Sequence, residues 1–356
     1  MLYDFLIIGG GIAGLSIGSR LASSGSVCVL ESEDVIGYHA SGRSAAMFLE
    51  NYGNNIVVEL NKASAKYHKT GGYLSDRGLI SLARAQDKEA FFDELNDMCL
   101  DQISLNEALD ILPTINTKTV KYASFMKEAP ELDTDKILQD FAKSIRQNQG
   151  IITTGAEAKK IERNAKVWQV ITDLGTFEGK ILINAAGPWV DCIAEMAKIS
   201  PLNFTPMRRS IARVPAPASD TGNFPMAHGA GDRWYAKPDA GAWLISPCEE
   251  EVMPPHDAYA DDMVLAEGID RYNEMVNHEI TRMQTNWAGL RTFSPDRALV
   301  IGFDKSDSNF FWFAGQGGYG FQTAPAASLL ASELVLNKPI NFSNDLVKGL
   351  SPNRFY

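Results

Sequence analysis

Apolar residues recur along this chain in two spacings, short unbroken runs and stretches with a period near 3.6, with glycine clusters falling between them. The first example lies at the start. Phe5-Leu6-Ile7-Ile8 is a short apolar run with a β-branched core, which predicts a strand. Gly9-Gly10-Gly11-Ile12-Ala13-Gly14 follows directly. Ile12, Leu15, Ile17 and Leu21 then take helical spacing, which stops near Ser23-Ser24-Gly25. A second apolar run, Val27-Cys28-Val29-Leu30, ends on Glu31.

The same reading extends along the chain. Residues 55–69 have helical spacing through Val58, Leu60, Ala63 and Ala65, and 73–83 reads as a strand pair around Asp76-Arg77-Gly78. An amphipathic helix is predicted over 87–100. Ser104 and Glu107 form a capping box that opens a short helix, stopped near Pro113. Asp133 or Thr134 caps a helix carrying Ile137, Leu138, Phe141 and Ile145, which ends at Asn148-Gln149-Gly150. A strand over 151–154 is followed by a hairpin of 167–171 and 176–180. Ile181-Leu182-Ile183-Asn184 is a buried strand that runs into the small-residue turn Ala185-Ala186-Gly187, and Pro188 opens a helix over 189–197. From Pro201 the texture changes. Prolines are frequent and strands alternate at 210–214, 233–237 and 243–246, with Pro238-Asp239-Ala240-Gly241 as a turn, so a mainly antiparallel sheet is predicted, followed by a helix over 261–279. The end returns to α/β character, with strands at 298–302 and 310–314. The glycine turn Gly315-Gln316-Gly317-Gly318-Tyr319-Gly320 then leads to a helix over 323–337, with Pro325 in its first turn.

Composition narrows the function. The chain has 356 residues, enough for two domains or one large one, and is 45% hydrophobic, ample for a core. Its net charge of −11 and lack of any basic cluster argue against nucleic acid as a partner. The first strand starts so close to Met1 that no signal peptide is expected, and no apolar run is long enough to span a bilayer. Cys28, Cys99, Cys192 and Cys248 are scattered without a Cys-x-x-Cys, which fits reduced thiols in a cytoplasmic protein and speaks against zinc. His39, His68, His228, His256 and His278 have no metal-binding spacing and read as structural or surface groups.

The chemistry concentrates in the glycine turns. Strand, glycine turn, helix, strand and terminal acid make the dinucleotide-binding fingerprint in its proper context. Gly9 allows the tight turn, Gly11 lets backbone approach a pyrophosphate, and Gly14 lets helix and strand pack. Glu31 is placed to accept hydrogen bonds from a ribose and would repel a 2′-phosphate, which argues against NADP. In the loop Tyr38-His39-Ala40-Ser41-Gly42-Arg43-Ser44-Ala45-Ala46, small residues and one arginine suit close approach to a ligand, with Arg43 and Ser44 facing phosphate. An ordinary glycine loop is the alternative. The second strand-to-glycine junction, at Gly187, would approach the nucleotide from the other side.

Taken together, the glycine turn, ribose acid, GRSAA loop, INAAG strand, WAGLR and terminal GQGGYG resemble the D-amino acid oxidase-like FAD oxidoreductases. That family includes glycine oxidase, sarcosine oxidase and the D-amino acid dehydrogenases. GYHASGRSAA, WAGLRTF and FFWFAGQGGYGFQT are phrased most like the D-arginine dehydrogenase group. INAAG is common to many flavoproteins, whereas the WAGLR and QGGYG pair is much more specific. The resemblance implies an α/β fold: a discontinuous Rossmann-like FAD-binding domain (1–75, 130–200 and 285–356) and an α+β substrate domain on a mainly antiparallel sheet (76–129 and 201–284). It implies FAD held non-covalently, because the covalent branch uses a C-terminal cysteine and no cysteine follows Cys248.

By the same resemblance the substrate is a D-amino acid, oxidised at Cα to a 2-oxo acid and ammonia. Arg291 is the carboxylate clamp, and Gly289 in the same motif lies at the cofactor. Arg209 and Tyr235 match further carboxylate contacts, with Arg208 as an alternative to Arg209 and simple packing as an alternative for Tyr235. Tyr52 matches a tyrosine that closes over the substrate. Gly317, Gly318, Tyr319 and Gly320 would offer N–H groups to the flavin, and the helix behind them would stabilise its reduced form. The chain departs from the dehydrogenase group at Met47 and Leu49, which stand where a histidine and a threonine lie beside the flavin. Leu79 replaces the glutamate that pairs with a cationic substrate side chain, so uncharged side chains are expected, with Glu50 as the residue able to restore the charge. Oxidation of a secondary amine or a 2-hydroxy acid at the same flavin site is the second reading, and a flavin-binding scaffold without turnover the third. The sequence does not name the electron acceptor, whether oxygen, quinone or another.

Overall fold

A computed structural model describes residues 1–217 and 221–356. Two sheets organise them. The first runs in the order Val300–Phe303, Phe310–Ala314, Gly175–Asn184, Leu2–Ile8, Val27–Leu30 and Ile151–Thr153. Its last five strands are mutually parallel, and Val300–Phe303 closes one edge antiparallel. A parallel sheet is covered on both faces, which is why its strands read as unbroken apolar runs. Alternate side chains go to different cores. Phe5, Ile7 and Val29 join the cluster with helices Ile12–Leu21, Thr134–Gln147 and Gly320–Val335, while Leu6, Ile8 and Cys28 join the cluster with Val190–Met196. The two strands expected near residue 180 are one, Gly175–Asn184. Its first half pairs antiparallel with Val167–Thr172 and its second half enters the parallel sheet.

The second sheet is almost wholly antiparallel. Its order is Glu251–Val252, Thr205–Pro215, Ala242–Ser246, Trp234–Asp239, Met226–Gly229, Leu79–Arg84, Val120–Met126 and Asp101–Ile103, with Thr285–Phe293 paired along Thr205–Pro215. Met226–Gly229 and Leu79–Arg84 make the parallel exception. One face buries Ile80, Leu82, Ala212, Val214, Ala227, Ala236 and Ile245 against helices Leu105–Ile111 and Asp262–Asn273. The opposite face carries Arg209, Tyr235 and Arg291, the candidates from the sequence.

Several sequence expectations change in the structure. The segment 73–83 is not a hairpin: Leu74–Ser75 pairs with Glu131–Leu132, whereas Leu79–Arg84 enters the second sheet. The helix expected over 261–279 ends at Asn273, because Met275 and Val276 leave it to pack beside Ile115. Thr285–Phe293 belongs by hydrogen bonding to the second sheet, so a division by sheet places that boundary after Phe293 rather than before residue 285. The last long helix starts at Gly320, three residues ahead of the expected start, and Pro325 therefore lies in its second turn.

Pro325 has no N–H for the Phe321 carbonyl, and the groups of the next rung, the Ala326 N–H and the Gln322 carbonyl, turn to partners outside the helix. The second helix, Asn55–Thr70, supplies substitutes: the Ala326 N–H donates to Ser64 Oγ at 3.1 Å, and His68 Nε2 lies 2.9 Å from the Gln322 carbonyl oxygen. This interlock places the glycine turn before the helix against the loop that carries Tyr52.

Candidate functional site

The first turn of the chain is built as a cradle. Gly9 has φ +111°, and a Cβ there would come within 2.3 Å of the Ala185 carbonyl oxygen. At Gly14 a Cβ would meet the Gly9 oxygen at 1.9 Å, so helix and strand meet here only through glycine. Gly11 has no side chain to cap the helix, and of the first-turn donors the Ile12 N–H is met by Ser41 Oγ at 3.0 Å. Its N-terminus opens on a groove of about 500 Å³ bordered by Gly9, Gly11, Glu31, Ser41 and Gly187. The Glu31 carboxylate accepts the Gly10 N–H at 2.6 Å and the Glu33 N–H at 3.0 Å, which fixes its position at the end of the second strand. A groove with backbone glycines, a helix N-terminus without a capping side chain of its own and a buried carboxylate at the far end fits an extended dinucleotide.

A second cavity, about 220 Å³, adjoins this groove at Ile12, Ser41, Gln316 and Gly317. Its wall is one face of the second sheet. Paired residues of neighbouring strands share a face, and alternate residues repeat it. Arg209 opposes Gly289, Met207 opposes Arg291, Tyr235 opposes both Ser246 and His228, and Met226 opposes Leu79. Arg209, Arg291, Tyr235, His228, Met226 and Leu79 therefore point the same way, and all six line the cavity. Arg208 points to the other side, where it pairs with Glu251, and of the two neighbouring arginines Arg209 lines the cavity.

Arg291 stands apart from the other cations at the site. Arg209 is 3.4 Å from Glu250, which also holds Arg297. No carboxylate among the described residues lies in ion-pair range of Arg291. Burial opposes its charge, but the phenols of Tyr52 and Tyr235 and the Cys248 thiol hold the guanidinium above its ordinary value. Burial pushes the Tyr235 phenol up against the pull of Arg291 and Arg209, so it stays protonated as a donor. Tyr52 lines the same cavity and meets Tyr319 edge to face at 5.3 Å. Its loop is held by Asn61, whose amide donates to the carbonyls of Leu49, Glu50 and Tyr52.

The structure corrects three expected roles. The Arg43 guanidinium is not turned to a phosphate: it donates to the carbonyls of Tyr38, Ala258 and Ala288 and pairs with Asp257 at 2.5 Å, tying its loop to the second sheet. Ser44, Ala45 and Gly289 do border the second cavity. Of the four N–H groups in the terminal glycine turn, two are committed, Gly317 to the Thr292 carbonyl and Tyr319 to the Gln316 carbonyl, which leaves Gly318 and Gly320. Gly317 has φ +51°, and a Cβ there would meet Phe293 at 2.4 Å. Glu50 is exposed and does not line the cavity; Asp232, exposed at its edge, is the acid that does.

Sequence reasoning missed His228, Cys248, Met98 and Met226 as cavity residues. Met226–Gly229 is only four residues long, too short for its alternation to stand out, and the neighbours that give it meaning are distant in sequence. His39 is likewise no free surface group. It borders the groove, 2.9 Å from Glu33 and packed on Trp189.

Fold and site together define a flavoprotein oxidoreductase: a dinucleotide groove opening into a cavity with a buried cation. The profile of the family described as DAO, FAD dependent oxidoreductase, matches residues 4–334, and the chain belongs to that family. It is 23% identical to glycine oxidase from Bacillus licheniformis over 357 aligned positions, covering 95% of this chain and 94% of that one. The crystal structure of glycine oxidase from Geobacillus kaustophilus matches with a TM-score of 0.83 over 99% of both chains at 20% identity. L-alpha-glycerophosphate oxidase from Mycoplasma pneumoniae, with FAD bound, matches with a TM-score of 0.84 over 97% of both chains at 18% identity. At these identities the structural likeness is one of fold. Among the described residues no helix is long and apolar enough to cross a membrane.

Proposed function

We propose that this FAD-dependent oxidoreductase oxidises a D-amino acid with an uncharged side chain to a 2-oxo acid and ammonia. The observation that carries the reading is Arg291, a cation without a carboxylate partner among the described residues, set in the cavity beside the glycine turn. A planar, permanently charged donor in a dry pocket suits a substrate carboxylate. Arg209 and the Tyr235 phenol add donors on the same face, and Tyr52 covers the cavity from the other side. The D configuration rests on the resemblance in the glycine loop, WAGLR and QGGYG stretches.

FAD, held non-covalently, supplies the two-electron acceptor for the hydride leaving Cα. The chain's residues prepare that step. Arg291 and Arg209 place positive charge near the substrate amine, which favours its neutral form. The Leu79, Met47, Met98 and Met226 side chains exclude water from the pocket that receives the substrate side chain. Water then hydrolyses the released imino acid to the 2-oxo acid and ammonia.

Leu79 is 2% exposed within this apolar cluster, which supports the preference for uncharged side chains. A phosphate substrate, as the name of the Mycoplasma relative suggests for that protein, is less well served, because Arg209 already shares Glu250. The four free cysteines agree with a cytoplasmic setting. The test is kcat/KM with an artificial acceptor dye for D-leucine, D-methionine and D-alanine against D-arginine, with sarcosine and a 2-hydroxy acid in the same panel. The three uncharged D-amino acids should lead. Preference for D-arginine would overturn the side-chain reading, and activity confined to sarcosine or the hydroxy acid would move the enzyme to another substrate class.

A further inference from the structure

The apolar end of the cavity contains one polar intrusion. His228 lies on the same sheet face as Met226 and Leu79 and lines the cavity with them. Behind it stands Glu94, on helix Lys88–Met98. Both Glu94 oxygens are anchored: Oε1 accepts the Gly231 N–H at 2.7 Å, and Oε2 accepts the Ser81 hydroxyl at 3.1 Å. Oε2 also lies 3.4 Å from His228 Nε2, a buried nitrogen that makes no hydrogen bond of its own in this structure.

Glu94 is an acceptor only, so its charge beside Nε2 favours the neutral tautomer with the proton there and leaves Nδ1 with a lone pair. No hydrogen bond within the described residues engages either ring nitrogen, and Nε2 is the one that is buried. A polar ring in an apolar wall costs free energy unless its remaining capacity is used. We propose that His228 is a specificity residue whose Nδ1 accepts a hydrogen bond from the end of the substrate's side chain, with Glu94 as its positioning residue. This rests on the reading of Arg291 as the carboxylate clamp.

The geometry sets the ligand class. Three strand steps separate His228 from Arg209 in the sheet, and Arg291 lies a fourth step away on Thr285–Phe293, about 19 Å between backbones at ordinary strand spacing. The ligand that touches both ends has a carboxylate at one end, an apolar stem, and a neutral N–H or O–H donor at the other, such as an amide, ureido or phenol group. A cationic end gains less, because Glu94 is already spent on Ser81 and Gly231.

Two carboxylates without an α-amine, and so without turnover, test this on the holoenzyme by calorimetry. Hexanoate has an apolar end, and glutaramate has a terminal amide on a chain of similar length. His228→Leu should weaken glutaramate about tenfold, the usual effect of losing one buried partner, while hexanoate binds at least as well as before. His228→Gln, which keeps an acceptor, should recover part of the loss, and Glu94→Gln should weaken glutaramate selectively. Equal weakening of both ligands, or no change in either, would overturn the proposal. Arg291→Met separates the two readings. If it abolishes hexanoate binding while His228→Leu does not discriminate, the clamp stands and the role of His228 falls. If neither ligand binds the unaltered holoenzyme, both fall.

Discussion

At the scale of single residues, position in the sheet decides what each group can do. Arg208 and Arg209 are adjacent in sequence, yet strand alternation sends one to Glu251 and the other into the cavity. Cys248 shows how burial sets reactivity. It lines the cavity, but burial raises its thiol to about 11, with Arg209 pulling the other way. The thiolate is the nucleophile, so near neutral pH almost none is available. Iodoacetamide should therefore modify exposed Cys99 first and spare Cys248, whose labelling should rise as the pH approaches its pKa. Peptide mass spectrometry reads the outcome. Rapid labelling of Cys248 at neutral pH would show that its surroundings favour the thiolate instead.

At the scale of elements, the site depends on an interlock between two helices. Pro325 interrupts the ladder of Gly320–Val335, and Ser64 and His68 from Asn55–Thr70 meet the groups left over. Ser64→Ala would leave the buried Ala326 N–H without its partner. That should lower unfolding free energy by about 1–3 kcal/mol, measured by denaturant titration of the holoprotein. An unchanged midpoint would mean that the helix finds another partner for this group. The same interlock explains why the helix begins earlier than its sequence suggests. Pro325 looks like a first-turn residue until a neighbouring helix, more than 250 positions away, is seen to replace the missing ladder bonds.

At the scale of the whole molecule, the parallel sheet and its cofactor turn were legible because the signals are local. Gly9, Gly11, Gly14 and Glu31 fall within one strand–helix–strand unit. The second cavity was legible only in part. Arg291, Arg209 and Tyr235 came from phrasing shared with a family, and their convergence depends on pairings between strands distant in sequence. His228 and Glu94 come together through tertiary contacts that no local pattern encodes. The central claim is that Arg291 grips the substrate carboxylate. The most direct measurement is the anaerobic rate of flavin bleaching by subsaturating D-methionine in the unaltered holoenzyme and in Arg291→Met, at matched FAD content. Loss of a desolvated charge-assisted pair costs about 3–5 kcal/mol, so the variant should bleach at least a hundredfold more slowly. Bleaching at the same rate in both proteins would contradict the account.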